Sequence, residues 1–171
     1  MTVKVRMTRE LLVQIRSDLT RPHAFAAERI GFAYGRWTNS GEDELLLLLT
    51  SYEPVADEHY LYDPRAGARI DGRAIRAAMQ GVLDRSEGAV HVHMHDWPGQ
   101  PVLSRMDVDE IPAVVTGLRR AGPAHAHGIL LLHQRECAAW IWPPGEEEAE
   151  KAESVSIVGF PLEIFRGATS D

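Results

Sequence analysis

The chain has 171 residues, 44% of them hydrophobic, which matches one ordinary domain able to bury a core without disulfides or a structural metal. Its 18 basic against 25 acidic side chains give a net charge of -7 with no long basic run, which argues against nucleic acid as a partner. One cysteine, Cys137, excludes an internal disulfide and reads as a small core residue, and the longest apolar run, Leu45 to Leu49, is far too short to span a bilayer, so no membrane or secretory role is signalled and a soluble cytoplasmic protein is expected.

The first nine residues alternate charged and apolar side chains and contain no apolar targeting core. Leu11, Leu12, Ile15 and Leu19 then recur at helical spacing after Thr8, and Pro22 closes this first helix. Ala26 to Trp37 and Glu44 to Ser51 read as two antiparallel strands joined through Asn39, Ser40 and Gly41, and Glu58 to Tyr62 reads as a third strand ended by Asp63 and Pro64. Asp71 is a suitable N-cap for a second helix with Ile75, Ala78, Met79, Val82 and Leu83 on its apolar face. Ala89 to His95 is a strand, and Asp96 to Pro101, with two prolines and a glycine, is a loop. Val108, Ile111, Val115 and Leu118 define a third helix whose start Pro112 obscures. Strands follow at about Gly128 to His133 and Cys137 to Trp142, then an acidic loop from Pro143 to Glu150, then one or two strands within Ser154 to Phe165 and a loose tail from Gly167. With no repeat and no linker, this order predicts one α/β domain over residues 1–171, a mixed sheet with helices packed on it, its core at about 8–142 and a C-terminal strand extension at about 154–166.

His91, His93 and His95 alternate along one strand, so all three imidazoles share a face. Zinc takes neutral imidazole and carboxylate readily, and a catalytic zinc uses three protein ligands and leaves a fourth position for water. Two of these histidines with Asp107 fit that pattern. Ser104 and Asp107, three residues apart at a helix entrance, also read as a capping box in which hydroxyl and carboxylate satisfy orphan amides. The second pair, His125 and His127, has no acidic residue returning to it and reads as structural.

The run His93, Met94, His95, followed by Ser104, Arg105, Met106 and Asp107, resembles the HxH, S, xx, D signature of the JAMM metalloproteases, also called JAB or MPN+ domains. That family also has a glutamate on an early strand before a glycine-containing apolar stretch. Glu28 matches it, in Glu28, Arg29, Ile30, Gly31, Phe32, Ala33, Tyr34, Gly35. An anion on a strand face with Ile30, Phe32 and Tyr34 is costly unless it has a partner or a task, whereas at a frayed strand start it is merely solvated. The resemblance spans roughly Thr8 to Trp142 and implies the family's single mixed sheet flanked by helices, with cytidine-deaminase-like layering. It implies His93, His95 and Asp107 as zinc ligands, Glu28 as the base that deprotonates the attacking water, and Ser104 as a donor to the oxyanion. Two departures stand out: Asp96 follows the second histidine where the family usually has proline, and the step from His95 to Asp107 is one residue longer than the commonest spacing. Pairing His91 with His93 would lengthen that step further, so His91 reads as a strand residue that orients a ligand.

The resemblance implies cleavage of a peptide or isopeptide bond at the tail of a ubiquitin-like or sulfur-carrier-like protein, with an E1-like activating enzyme as a further partner. Asp96 to Pro101 and the acidic, aromatic stretch Tyr52 to Tyr62 are the expected rim of its groove. A non-catalytic scaffold of the same fold and a zinc hydrolase of a small amide are the alternatives. A metallo-β-lactamase would need HxHxDH, whereas here His95 stands before Asp96, and a cupin would need a glutamate and a glycine at set distances after its HxH, whereas Asp96 to Asp107 offers no glutamate.

Overall fold

Alternation in the first eight residues is the start of the architecture. Val3, Val5 and Met7 are buried while Arg6 is exposed, and Thr2–Thr8 forms strand β1. In the computed structural model, which describes residues 1–97 and 99–167, β1 lies between two parallel neighbours, β3 (Glu44–Pro54) and β8 (Ser154–Val158). Pro98 and residues 168–171, including most of the tail expected to be loose, lie outside the described residues. The sequence pattern alone did not make β1 a strand, because its charged residues read as solvated and its partners lie far along the chain.

The remaining strands are β2 (Ile30–Gly41), β4 (Gly88–Met94), β5 (His127–Leu132), β6 (Cys137–Trp142), β7 (Glu150–Lys151) and β9 (Glu163–Arg166), and all nine form one mixed sheet in the order β7-β6-β5-β4-β2-β3-β1-β8-β9. The two halves of the sheet are drawn together after β7. Ala152 N donates to Ala139 O of β6 and Glu153 N to Val3 O of β1, each over less than 3 Å. The C-terminal strands are therefore woven beside β1.

Three α-helices are found among the described residues. Helix α1 (Arg9–Leu19), capped by the Thr8 hydroxyl accepting from Leu11 N, buries Leu11, Leu12, Ile15 and Leu19 against one face of the sheet, with Val90 and Val92 of β4 in the same core. Helix α2 (Gly72–Arg85) starts where the Asp71 carboxylate accepts from Arg73 N and Ala74 N. It covers the opposite face, where Ile30, Phe32, Tyr34, Ala78, Val82 and Ala89 pack together. Helix α3 (Arg105–Ala121) starts at the entrance that Ser104 and Asp107 marked in the sequence and continues through Pro112, which sits on its exposed side, while Ile111 and Val115 pack on Ile129.

The strand expected at Glu58 to Tyr62 is not formed. Asp57–His59 is a single turn of 3-10 helix, and only Tyr60 bridges, to Ile70. Its aromatic ring is buried while Leu61 and Tyr62 are exposed, so no alternating face exists for a ladder to cover. No helix among the described residues is long and apolar enough to cross a membrane.

Cys137 is buried at the start of β6, and burial pushes its thiol up to about 12. The native protein should therefore be inert to a thiol-specific reagent at pH 8 and react stoichiometrically only after denaturation. Rapid modification of the native thiol would show that the β6 end of the sheet opens.

Candidate metal centre

Three chain ends meet at one corner of the sheet. Strand β2 runs antiparallel to β4 with Ile30 paired to His93, so continuing the register by two residues sets Glu28 against His95. Helix α3 connects β4 to its parallel neighbour β5 and brings Asp107 back to the end of β4. Ligand sites commonly form at the carboxyl ends of parallel strands.

Strand β4 is buried along its whole length. Val90, Val92 and Met94 face the α1 core, and alternation turns His91 and His93, together with His95 just beyond the strand, to the side covered by α2 and α3. His93 Nε2 lies 3.3 Å from Asp107 Oδ1, and His95 Nε2 lies 3.4 Å from Asp107 Oδ2. His93 Nε2 nevertheless makes no hydrogen bond of acceptable geometry, and neither Nδ1 of the pair has a partner among the described residues. Donor atoms held at about 2.0–2.1 Å around a tetrahedral ion stand roughly 3.3–3.4 Å apart, so these two separations are compatible with a shared ion. The donor set fits a metal ion: one ligand atom from each of His93, His95 and Asp107 lies within 4.8 Å of the others.

Asp107 has a second task. Ser104 is the N-cap of α3, its hydroxyl accepting from Asp107 N at 3.2 Å while Asp107 Oδ2 accepts from Ser104 N at 2.7 Å. The capping box and the histidine-facing carboxylate are thus the same group, and the box fixes the carboxylate's orientation. Burial opposes ionisation of Asp107, but the two imidazoles and Ser104 hold its carboxyl well below the usual range.

Glu28 precedes β2 by two residues, and its Oε1 lies 3.9 Å from His95 Nε2. It is only partly exposed, and burial pushes its carboxyl above the usual glutamate range, against the pull of His93 and His95. Its backbone is clamped on every side. Glu28 N donates to Gly67 O at 2.9 Å, and Ile30 N donates to the Tyr60 hydroxyl at 2.8 Å. The buried Arg29 guanidinium donates to Arg21 O, Pro22 O and Asp57 Oδ1. A Cβ on Gly67 would lie 2.5 Å from the Glu28 carboxyl carbon, so a glycine there lets the segment approach.

Several of these contributors escape sequence reading. Arg29, Tyr60 and Gly67 carry no local signature, because each acts through a contact far away in the chain. Trp97 stacks on the His95 ring, with centroids 3.9 Å apart, and the buried His133 lies edge-on to His95 at 5.5 Å. Only the position of Trp97 in the loop expected to form the rim hinted at a role.

Two cavities meet at Glu28 and Asp107. One, about 470 Å³, is bounded by Ile30, Ile75, His91 and α3. The other, about 650 Å³, is bounded by Arg65, Gly67, Trp97, Ser104 and Arg105. The expected rim is half corrected: Trp97 lines the second cavity, but the stretch Tyr52 to Tyr62 lines neither, and residues 65–70 take its place. Tyr52 instead donates its hydroxyl to Asp18 within the α1 core, and Tyr60 anchors β2.

His91 is buried next to His93, and burial lowers its pKa to about 3. His127 is a joint between elements: its Nδ1 accepts from Ala89 N at 3.1 Å and its Nε2 donates to Gly122 O at 2.8 Å. A scan against protein-family models and a search of curated proteins both return no match. The JAMM resemblance therefore rests on the motif residues alone.

Equilibrium dialysis followed by elemental analysis should find about one transition-metal ion per chain, lost in His93→Ala, His95→Ala and Asp107→Ala but kept in His91→Ala. Loss of metal only in the last variant would overturn the ligand assignment. His91 also makes a pH prediction. Its folded pKa of about 3 lies below the unfolded value near 6.5, so the unfolded chain takes up the proton first as pH falls. Stability of the metal-free protein should decline between about 6.5 and about 3, and His91→Phe should flatten the dependence in denaturant titrations across that window.

Proposed function

We propose that the chain is a zinc-dependent hydrolase of the JAMM type, cleaving a peptide or isopeptide bond at the C-terminal tail of a ubiquitin-like or sulfur-carrier-like protein. The observation that carries this reading is the convergence of Glu28 on the His93, His95 and Asp107 group from a distant part of the chain. A structural ion would need no unattached carboxylate beside it, and a scaffold would need none of the four.

His93, His95 and Asp107 would hold the zinc ion, which when bound would supply Lewis acidity to the scissile carbonyl and lower the pKa of water towards about 7. Glu28 takes the proton from the attacking water at a carboxylate oxygen and returns it to the departing amine. Ser104 Oγ accepts from Asp107 N, which leaves the hydroxyl hydrogen to donate to the developing oxyanion. Trp97 packs on His95 and restricts the plane of its ring. The JAMM layering, the zinc identity and the tail of a ubiquitin-like substrate all come from the family resemblance.

Glu28→Gln should remain folded and metal-loaded while losing about 100- to 10,000-fold in turnover. The assay uses ubiquitin-like proteins with C-terminal extensions beside small amides, with a chelator control. Near wild-type, zinc-dependent cleavage by this variant would reject the mechanism. Ser104→Ala should show two separable effects, about 1 kcal/mol less stability from the lost cap and a slower rate at saturating metal.

A further inference from the structure

Trp97 is 47% exposed and borders two open spaces, the 650 Å³ cavity and a further one of about 400 Å³. An indole with that much room has other rotamers open to it, yet it lies nearly flat on the His95 ring, 25° from parallel. Close packing alone does not keep it there. The rest of the 400 Å³ cavity is lined by Gly99, Gln100 and residues 133–136, the turn between β5 and β6. That turn grips the loop after β4. His95 N donates to Leu132 O at 2.9 Å, and Gln134 Nε2 donates to Asp96 O at 3.4 Å. Between those two contacts in sequence stands His133, 1% exposed, its ring edge-on to both members of the stack, 5.5 Å from His95 and 5.9 Å from Trp97. Neither of its ring nitrogens makes a hydrogen bond of acceptable geometry, but the carbonyls of Trp97 and Gly99 stand beside the ring. A buried imidazole is costly without a partner, and those carbonyls are acceptors that it reaches with a small adjustment.

We propose that His133 is a positioning residue of the candidate metal centre: it holds the backbone at Trp97 and Gly99, keeps the indole on His95, and so keeps His95 Nε2 turned to Asp107. The inference rests on His95 being a metal ligand and is independent of which bond the site cleaves. A ligand ring free to turn must be ordered when the ion binds, so a ring fixed beforehand binds it more tightly. His95 Nδ1 has no partner of its own, which leaves the stack with Trp97 to fix the ring plane. His133 thus acts on the metal through two other rings, and its nitrogen is the part that matters.

The test is zinc affinity of the whole protein, measured by competition with a coloured chelator, together with the visible spectrum of the cobalt(II)-loaded form. His133→Phe keeps a ring in place but removes both nitrogens. It should weaken zinc binding about 10- to 100-fold and shift the cobalt bands. His133→Asn, whose amide N–H replaces one ring donor, should recover most of the affinity. Trp97→Ala removes a half-exposed side chain and should leave the fold intact while weakening zinc to a similar degree. Because both residues act on one imidazole, His133→Phe with Trp97→Ala should lose no more affinity than the larger single loss. Wild-type affinity in Trp97→Ala or in folded His133→Phe overturns the proposal, as do additive losses in the double variant. No zinc uptake by the wild type overturns the candidate centre and the proposal together. The expected losses in a protein that cleaves no peptide keep His133 in this role and overturn the hydrolase.

Discussion

Strand β4 is buried from end to end, yet one of its faces carries imidazoles, and the corner of the protein where it ends is organised around that conflict. A buried polar ring without a partner is expensive. His127, on the neighbouring strand, resolves the problem with two backbone hydrogen bonds. His93 and His95 do not: they face the two oxygens of a single carboxylate at distances suited to a shared ion and with poor geometry for hydrogen bonds. His127 is thus satisfied by the backbone, while the ring nitrogens of His93 are left free for another partner.

The carboxylate that answers them is held with little freedom. Because Asp107 closes the capping box of α3, its orientation is tied to the helix start, and the helix is in turn packed on β5 through Ile111, Val115 and Ile129. The same economy appears at Glu28, whose backbone is secured by Gly67, by the Tyr60 hydroxyl one residue beyond Arg29, and by the Arg29 side chain reaching back to the end of α1. Both acidic groups sit at the ends of elements whose positions are set by large apolar cores. Precision at the site is therefore inherited from packing well away from it.

The two cores divide the labour. The α1 side, which includes β1, β3 and β8, serves as the apolar platform under β4. The α2 and α3 side is less completely filled, and the gap between the helices and the 65–70 segment is where the two cavities open onto Glu28 and Asp107. Helix packing on a sheet leaves such clefts at the ends of the helices, where side chains no longer interdigitate.

The sequence by itself determined the local elements and the parity of their faces. Helical spacing marked α1, α2 and most of α3, alternation set His91, His93 and His95 on one side of β4, and the three-residue step from Ser104 to Asp107 announced a cap. These features depend on the 3.6- and 2-residue periods, which are written in neighbouring residues. Only the tertiary structure decided that β1 lies between β3 and β8, that the residues around Tyr60 are an anchor in place of a strand, and that residues 65–70 wall the cavities. It also decided that the β2 to β4 register carries Glu28 to His95. Register and long-range hydrogen bonds are set by which apolar surfaces cover one another across the whole chain, and no local period encodes that choice.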